Sequence, residues 1–447
     1  MSLARLLALP RYLDVASGAY RPGLGRVRAL LGAMGDPHRG LRLVHVAGTN
    51  GKGSTASCVA AIATASGLRA GLFTSPVLVD RSEAIRIDGA PQPERLASGA
   101  ARWMDAAERA GATYFEALTA LALDAFAQAD VDLAVIEAGL GGRDDATNAI
   151  RPLVAAVTHV GMDHTRELGA TLQAIARHKA GIAKAGVPFL HALGPGAARD
   201  ALEAEAHARG ASRVERVREV VQASGDADAI HFVTPEAALG PVRLGLPGAH
   251  GAQNAALALR AAEVAWAEAG WGPLAPEAAA RGLAGVQALA GLRARGERWA
   301  GDPRIVLDVA HNAEGWAAAV AYAAREAGSA REAGGPPEAA RGHARGHARG
   351  GRLWALVGVL DKDPAPLGRA LAAAGARVLA VGLPSERALT AGPLAQRLRA
   401  AGAEAAEVDQ VGEALGRFQR EAGPSDRLLV TGSHLLIAQA LTALEAS

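Results

Sequence analysis

A glycine-rich loop that carries one lysine and two hydroxyl side chains joins an apolar run to a helix-like run. The apolar run spans 41–48, and the loop reads Gly48-Thr49-Asn50-Gly51-Lys52-Gly53-Ser54-Thr55. Glycines let successive backbone N–H groups face one anion, and the N-terminus of a following helix adds partial positive charge. In such a loop the lysine reaches the outer phosphates, and either Ser54 or Thr55 can ligate Mg²⁺. The strict spacing of Gly, four residues and Gly-Lys-Ser/Thr is not met, but the order of strand, glycines, lysine and helix predicts a nucleoside triphosphate site.

Two further candidate ligands follow other strand-like runs. Glu137 comes directly after the apolar run 132–136, and His164 follows the run 153–158. In an open α/β sheet the carboxyl ends of the strands border the ligand crevice, so both side chains are well placed beside the phosphate loop. Glu137 is then either a ligand for Mg²⁺ or an edge carboxylate in a surface ion pair. His164, taken alone, is either a ligand or a structural histidine.

Lysine is rare in this chain, which makes each lysine informative. It occurs only at 52, 179, 184 and 362, so four of the 47 Lys and Arg residues are lysine. A mutational bias toward arginine explains the rarity, and a lysine retained under that bias marks a place where arginine cannot serve. Lysine is a compact ammonium that can lose its proton or be modified at nitrogen, and arginine is neither. Lys179, in a predicted helix, could be neutral or carbamylated, whereas Lys184 is interpreted only as a cation at a helix end.

The elements that position these residues alternate between strand and helix patterns. Apolar runs at 41–48, 132–136 and 153–158 are separated by helical patterns, which favours an α/β fold with a mainly parallel sheet covered by helices on both faces. Residues 211–247 contain short strand-like pieces and are interpreted as a small β excursion. Helix-rich sequence follows from about 250 to 288.

A second α/β segment follows a Gly/Arg stretch at 290–304. The predicted domains are therefore 1–292 and 293–447. The repeat RGHARGHA within 327–350 contains His343 and His347, and we interpret this segment as a disordered insertion rather than a metal site.

Composition excludes several classes of protein. The chain has 447 residues, about three times a common domain size, with 50% apolar and 21% charged residues and a net charge of +2. This balance predicts no nucleic-acid and no membrane partner. A single cysteine, Cys58, fits a reducing cytoplasm. No stretch of about 18 uncharged apolar residues occurs, and the apolar run at 6–9 is too short for a signal peptide.

Eight motifs in order resemble the folylpolyglutamate synthase and dihydrofolate synthase family, a branch of the Mur ligase superfamily. They are GTNGKGS at 48–54, SPVLVDRSEAIRIDG at 75–89, TYFEALTA at 113–120, EAGLGGRDDATN at 137–148, DHTRELGATLQAIARHKAGI at 163–182, DVAHN at 308–312, GVLDKD at 358–363 and VTGS at 430–433. The resemblance implies a Mur-ligase-like fold, with a P-loop ATPase domain followed by a smaller, Rossmann-like C-terminal α/β domain and the active site in the cleft between them.

The resemblance also implies the reaction and its cofactors. In this family ATP phosphorylates a substrate carboxylate, and the amine of L-glutamate attacks the acyl phosphate. Charge placed where the phosphoryl oxygens become negative is then the main catalytic device. The implied cofactors are ATP and two Mg²⁺ ions, with K⁺ as a family-typical addition. The implied partners are L-glutamate and a pterin or folate, and the family is mainly monomeric.

Site residues are carried over by the same resemblance. The implied catalytic residues are Lys52, Lys179 and His311. The implied nucleotide-binding residues are Thr49, Asn50, Gly51, Lys52, Gly53, Ser54, Thr55, Asn254, Arg295 and Asp308. The implied metal ligands are Ser54, Glu137, His164 and, if it is carbamylated, Lys179. Ser75 and the pterin-recognising segment Thr113, Tyr114, Phe115 and Glu116 are the implied substrate residues, with the loop 23–27 covering the pterin.

The chain departs from the family pattern mainly near the expected acceptor and glutamate sites. Val77 stands in place of the usual His, and Ala84 in place of the usual Arg. Ala294 replaces a glycine before Arg295, His178 replaces the usual Glu before Lys179, and the glutamine spacing before Asn254 differs.

Three functions are compared on these residues. The first is a folate-pathway glutamate ligase, acting on dihydropteroate, on the γ-carboxylate of folates, or on both. The second is another Mur-type ligase with a non-folate acceptor, but a peptidoglycan precursor enzyme would carry a further N-terminal domain, and only 47 residues precede Gly48. The third is a P-loop protein that makes no amide, which would leave Glu137, His164 and Lys179 unexplained.

Overall fold

The computed structural model describes residues 2–10, 22–226, 229–328 and 350–446. The chain forms two compact units, Met1–Leu292 and Arg293–Ser447. Most of the insertion predicted at 327–350, including His343 and His347, lies outside the described residues. Within the described ranges, no helix is long and apolar enough to cross a membrane.

The first unit alternates strands and helices along the chain. Its strands are β1 (Leu43–Ala47), β2 (Ala70–Phe73), β3 (Ile85–Ile87), β4 (Ala90–Pro91), β5 (Leu133–Glu137), β6 (Val154–Val157), β7 (Phe189–His191), β8 (Val214–Arg216), β9 (Gln222–Ser224), β10 (Ile230–Val233) and β11 (Ala238–Val242). Its helices are α1 (Ser2–Ala8), α2 (Gly25–Ala33), α3 (Lys52–Ala65), α4 (Pro93–Arg109), α5 (Tyr114–Gln128), α6 (Thr165–Leu168), α7 (Leu172–Ala180), α8 (Ala197–Ala208), α9 (Val217–Val220), α10 (Gly248–Ala269), α11 (Pro276–Ala284) and α12 (Val286–Ala290).

The second unit continues the same alternation. Its elements are β12 (Arg295–Arg298), β13 (Ile305–Asp308), α13 (Ala313–Glu326), β14 (Leu353–Val357), α14 (Ala365–Ala373), β15 (Arg377–Val381), α15 (Ala391–Ala400), β16 (Glu404–Val408), α16 (Val411–Glu421), β17 (Arg427–Thr431) and α17 (His434–Glu445).

Mainly parallel sheets organise both units, which confirms the predicted fold class. Among the described residues, the large sheet of the first unit has the strand order β4-β3-β2-β5-β1-β6-β7-β8, and only the β4-β3-β2 edge is antiparallel. The sheet of the second unit has the order β12-β13-β17-β14-β15-β16, and only β12 is antiparallel to its neighbour. The predicted β excursion is confirmed as the antiparallel sheet β11-β10-β9.

Both faces of the large sheet are buried, because alternate residues of its central strands enter different cores. In β1, Leu43 packs with α2, α4 and α5, whereas Val44 and Val46 pack with α3, α10 and α11 on the other face. Side chains of a strand point alternately to its two faces, so a strand covered on both sides is continuously apolar. This is why the run 41–48 shows no regular alternation of polar and apolar residues, and its one polar side chain within β1, His45, is itself buried.

Helix α3 begins at the phosphate loop and is buried along nearly its whole length. Its small residues let other helices approach closely. A methyl group added at Gly282 of α11 would lie 2.5 Å from Ile62 Cα of α3. The helix that presents the loop is therefore packed closely between the sheet and α10–α12.

Several strands were not predicted from the sequence. The Gly/Arg stretch at 290–304 contains β12, and β2, β7 and β16 were also not predicted. The helix predicted around Lys179 is α7, which stops at Ala180 with Gly181 as its C-cap, so a helix continuing to Ile182 is wrong.

Candidate active site

The carboxyl ends of four neighbouring strands, β2, β5, β1 and β6, bring the predicted phosphate and metal residues to one edge of the sheet. Ser75 follows β2, Glu137 ends β5, the loop 48–55 follows β1, and His164 follows β6. Because these strands are parallel to one another, their carboxyl ends face the same crevice. The order of the strands therefore explains why the loop 48–55, Glu137 and His164 lie near one another, as the sequence predicted.

The phosphate loop is fastened to the segment after β6. Thr158 Oγ1 donates a 2.6 Å hydrogen bond to the Asn50 carbonyl oxygen. The Gly161 amide donates to Thr49 Oγ1 at 3.0 Å, and Lys52 Nζ donates to the Thr49 carbonyl oxygen at 3.1 Å. These bonds hold the loop in one shape without using the amides at the start of α3, which are the groups that bind anions at a helix N-terminus.

At two glycine positions of the loop, a neighbouring side chain occupies the space that a Cβ atom would need. Gly51 has a φ of 83°, and a Cβ there would collide with Asn254 Oδ1 on α10. A Cβ at Gly48, with a φ of 154°, would collide with Thr158 Oγ1. Asn254 thus lies against the loop, although about 200 residues separate them. Its role at the adenosine end of the nucleotide stays a prediction.

Glu137 and the hydroxyl residues of α3 supply donors suited to Mg²⁺. Glu137 Oε2 accepts a 3.0 Å hydrogen bond from the Ser75 amide, and a Cβ at Gly53 would lie 3.2 Å from the same oxygen. Ser54 is buried, and the buried Thr55 Oγ1 has no hydrogen-bond partner in the described part of the chain. Mg²⁺ in nucleotide sites takes one or two carboxylates together with phosphate oxygens, which fits this set. Among the described residues no three His, Cys, Asp or Glu side chains form a metal cluster.

His164 is the most exposed of the predicted metal ligands. It precedes α6 in a left-handed conformation, and its side chain is 41% exposed. Nε2 lies 3.9 Å from Asp163 Oδ2, and Nδ1 lies 4.0 Å from Glu167 Oε2. Its part in metal binding stays a prediction.

Lys179 is buried near the end of α7, close enough to other charges at this edge to interact with them. Burial lowers the pKa of its ammonium well below the usual value, and the positive charge of Lys52 lowers it further. The carboxylates of Asp163 and Asp145 oppose this shift. A buried lysine of lowered pKa has a reactive neutral amine, which is the property the sequence pattern suggested for this position.

A buried hydrogen-bonded chain lies behind the loop after β5, and sequence analysis did not identify it. Asp145 accepts bonds from the Leu140 amide at 2.7 Å and from Thr147 Oγ1 at 2.5 Å. His45 Nε2 lies 2.9 Å from the same Thr147 hydroxyl. Burial raises the pKa of Asp145, and these hydrogen bonds oppose the change. The only sequence signal was the second Asp of the DDATN motif.

The predicted substrate segment, 113–116, lies at the start of α5. The carboxylate of its Glu116 is already bound by protein groups. Thr113 and Glu116 form a capping box, in which each side chain accepts a bond from the other residue's amide. Arg26 of α2 forms a two-point ion pair with Glu116, both contacts being 3.0 Å. Glu116 is buried, so it joins the loop 23–27 to the start of α5. Its expected bonds to a pterin ring stay a prediction.

The two aromatic residues of this segment have different surroundings. A Cβ at Gly139 would lie 2.6 Å from the Phe115 ring, so Phe115 packs on the backbone just after Glu137. The guanidinium of Arg81 lies 5.9 Å from the centre of the Tyr114 ring. Phe115 therefore lies beside the loop that follows β5.

In the second unit, Arg295 and Asp308 are brought together. They are paired across β12 and β13, and Asp308 accepts a 2.8 Å bond from the Ala310 amide. Burial raises the pKa of Asp308, and the charge of Arg295 opposes the change.

His311 lies just after β13, beside another histidine. Its Nδ1 donates to the Val309 carbonyl oxygen at 3.1 Å, and its ring centre is 5.3 Å from that of His434. His434 begins α17, which follows the neighbouring strand β17. His434 was not among the predicted site residues.

Comparison with known proteins gives one consistent family. The Mur ligase middle domain family matches residues 46–262. Folylpolyglutamate synthase of Lacticaseibacillus casei is 38% identical over 303 residues, covering 65% of this chain and 69% of that protein. Dihydrofolate synthase/folylpolyglutamate synthase of Bacillus subtilis is 35% identical over 308 residues, covering 66% and 70%. The structure of Escherichia coli FolC in complex with DHPP and ADP is similar with a TM-score of 0.77 and 28% identity, covering 95% of this chain and 94% of that one.

The chain belongs to the folylpolyglutamate synthase/dihydrofolate synthase family. The resemblance inferred from eight motifs is thereby confirmed. As a member of this family the chain is an ATP-dependent ligase.

The positions that depart from the folylpolyglutamate synthase pattern differ in their surroundings. Ala84 is fully buried, and Val77 is half-buried against the α4–α5 core, so neither supplies a polar group. Ala294 has a φ of 53°, the left-handed conformation that a glycine adopts without strain. Ala294 thus occupies a backbone conformation that favours glycine.

Proposed function

We propose that this chain attaches L-glutamate to 7,8-dihydropteroate and to the γ-carboxylate of folates, at the expense of ATP. The single observation that carries the proposal is the convergence of the loop 48–55, Glu137 and the buried Lys179 at one sheet edge, in a chain of this family. The relative from Bacillus subtilis carries both activities in its name, which supports both acceptors.

The first half of the reaction transfers the γ-phosphoryl group of ATP to a carboxylate oxygen of the acceptor and releases ADP. The amides at the start of α3 bind the phosphates, and Lys52 neutralises negative charge on them. Preorganised positive charge of this kind lowers the barrier, because phosphoryl transfer depends mainly on positioning and electrostatics.

Magnesium supplies Lewis-acid stabilisation of the phosphoryl oxygens when it is bound. Ser54 and Glu137 would hold a first ion. The Ser75 amide fixes Glu137 Oε2, so that its carboxylate is oriented before any ligand arrives. His164 and a carbamylated Lys179 are proposed for a second ion, and the low pKa of the buried Lys179 supports this modification because only the neutral amine reacts with carbon dioxide.

In the second half, the glutamate amine attacks the acyl carbon, a tetrahedral intermediate forms, and phosphate leaves as the amide is made. His311 is proposed to act on the glutamate side, and Arg295 and Asp308 on adenosine. Thr113, Tyr114, Phe115 and Glu116 are proposed for the pterin. The Arg26–Glu116 ion pair supports a fixed position for this segment.

The decisive experiment compares two acceptors. Purified protein receives ATP, Mg²⁺ and L-glutamate with either 7,8-dihydropteroate or tetrahydrofolate, while phosphate release is followed and products are identified by mass. We expect one phosphate per glutamate adduct with both acceptors. Omitting L-glutamate measures ATP hydrolysis that is not coupled to amide formation.

The outcomes separate the two activities. Turnover with one acceptor alone would restrict the function to that acceptor. Absence of any glutamate adduct with either acceptor would refute the folate assignment and leave a ligase with another acceptor. A Lys52→Met protein should lose phosphate release, which would tie the activity to the loop.

Three further properties remain proposals. A K⁺ requirement and a monomeric state rest on the family resemblance. A cytoplasmic location is supported by the lone, buried Cys58, since a reduced thiol is the usual state there.

A further inference from the structure

The proposed mechanism assigns no role to Lys184. Its Nζ donates to two oxygen atoms of one residue, the Asn148 carbonyl oxygen at 2.8 Å and Asn148 Oδ1 at 2.6 Å. Bonds from a charged donor are stronger than neutral ones. Lys184 therefore fixes both the backbone and the side chain of Asn148.

Asn148 in turn joins two segments that are far apart in sequence. Its Nδ2 donates to the Arg143 carbonyl oxygen at 2.9 Å and to the Gly181 carbonyl oxygen at 3.0 Å. The first segment is the loop 142–148, and the second is the carboxyl end of α7. Because Asn148 is buried, losing any of these partners would leave a polar group unsatisfied.

The loop 142–148 is packed directly on the turn that contains Lys179. The Arg143 amide donates to the His178 carbonyl oxygen at 2.8 Å. A Cβ at Gly142 would lie 2.9 Å from the Lys179 carbonyl oxygen, and a Cβ at Gly181 would lie 2.5 Å from Arg143 Cα. The two backbones touch, so a shift of the loop would move the backbone of Lys179.

The charges facing Lys184 come from three other elements. Burial lowers the pKa of its ammonium to about 8, and Arg209 after α8, Arg28 of α2 and Arg151 after the loop lower it in that order. Within the described ranges, no carboxylate is among the groups that shift it. The oxygens of Asn148 are thus the groups that compensate a half-buried cation among arginines.

We propose that Lys184 is a positioning residue for the ligase reaction: by holding Asn148 it docks the loop 142–148 on the end of α7 and so fixes Lys179 beside the phosphate site. This inference deepens the proposed function and rests on it. The same geometry explains why arginine does not replace this lysine. A single ammonium nitrogen reaches two oxygens of one residue, whereas a planar guanidinium is longer and spreads its donors.

The first test replaces Lys184 with methionine, which removes the hydrogen-bond donor and keeps a side chain of similar length. In a Lys184→Met protein, kcat for glutamate addition should fall roughly 10- to 100-fold, as for other residues that orient a reactive group. The KM for ATP should change less than about twofold, because the loop 48–55 is not touched. Lys184→Arg keeps the positive charge, but its kcat should be lowered as well.

Local docking is measured separately from activity, by hydrogen exchange. The Arg143 amide reports the contact between the loop and α7, and its exchange should be faster in Lys184→Met. The matched control is Arg151→Met, which removes a neighbouring cation and its 2.8 Å bond to the Ala185 carbonyl oxygen but leaves Asn148 unchanged. Its kcat and its Arg143 exchange should equal those of the wild type.

A double variant checks the route through Asn148. Lys184→Met and Asn148→Ala should each lower kcat, and together they should lower it no more than the larger single effect, since Lys184 acts through Asn148. The inference is overturned if kcat is unchanged in Lys184→Met, if Arg143 exchange is unchanged, if Lys184→Arg is fully active, or if the two effects multiply. If Lys184→Met does not fold, Lys184→Arg and the exchange measurement decide. A wild-type protein that forms no glutamate adduct would refute the proposed function, while the exchange data would still test the docking.

Discussion

At the scale of single residues, His45 shows how burial makes a neutral histidine a condition of folding. Its Nε2 faces Thr147 Oγ1, which donates its own proton to Asp145, so Nε2 carries a hydrogen and donates it. The buried Nδ1 has no hydrogen-bond partner in the described part of the chain. Burial, with a smaller effect of Lys184, lowers the pKa of His45 to about 3.

The sign of the pH effect follows from this shift. Between pH 6.5, where an unfolded histidine titrates, and pH 3, the unfolded chain binds a proton that folded His45 does not. The contribution of His45 to the free energy of unfolding is therefore fully present above pH 6.5. It declines as the pH falls toward 3, by about 1.4 kcal/mol per pH unit.

A His45→Gln protein tests this prediction, because glutamine keeps an N–H donor and does not titrate. Its thermal midpoint should fall less steeply than that of the wild type from pH 6.5 to pH 4. The matched control is His207→Gln at an exposed position of α8, which should leave the wild-type slope unchanged. Equal slopes for wild type and His45→Gln would show that His45 is not the group responsible.

At the scale of elements, α3 offers a comparison within one helix, because glycines of the same conformation flank it. Gly51 precedes α3 with a φ of 83°, and Gly67 follows it with a φ of 82°. A Cβ at Gly51 would meet Asn254, whereas a Cβ at Gly67 would meet nothing within 4 Å. An alanine costs roughly 1–2 kcal/mol of backbone strain at either position.

Only Gly51→Ala should therefore impair nucleotide binding. We expect the KM for ATP to rise about tenfold or more, since the collision displaces Asn254 or the loop by an amount worth at least about 1.4 kcal/mol. Both substitutions should lower the thermal midpoint by similar amounts, but Gly67→Ala should leave the KM for ATP unchanged. An equal rise of KM in both proteins would mean that strain in α3, rather than contact with Asn254, is responsible.

Elements with strong local signals could be predicted from sequence, and the two polar edge strands β12 and β16 could not. Strand β1 is buried on both faces, so its composition alone identifies it. Strand β16 reads EAAEV and β12 reads RGER, which are helix-like or polar, and they are strands because each lies at a sheet edge beside an apolar neighbour. Pairing with that neighbour overrides their weak intrinsic preference.

The same distinction holds for the site. The loop 48–55 is a local motif, and the rarity of lysine singled out Lys179. The contact between Gly51 and Asn254 and the bonds from Lys184 to Asn148 join residues distant in sequence. No spacing rule encodes such contacts, because they depend on which helices the tertiary fold packs against the loop.

At the scale of the whole molecule, each compact unit contains its own hydrophobic core. In the second unit, α13, α14 and α15 bury one face of the sheet, with Trp316 and Leu353 in that core. On the other face, Trp354 packs edge-on against Phe418 of α16 at 5.9 Å. A sheet covered on both faces by its own helices meets the requirement for independent folding.

We therefore expect the fragment 293–447 to fold alone. It should show an α/β circular dichroism spectrum and one cooperative thermal transition. Trp316 and Trp354 are 1% and 2% exposed and Trp299 is half-buried, so in a Trp299→Phe fragment the fluorescence should lie at short wavelength and shift to longer wavelength in denaturant. The fragment should release no phosphate from ATP, because the loop 48–55 belongs to the other unit. A spectrum of exposed tryptophan without denaturant, or melting without cooperativity, would show that the core of the second unit is insufficient and that the two units fold only as one chain.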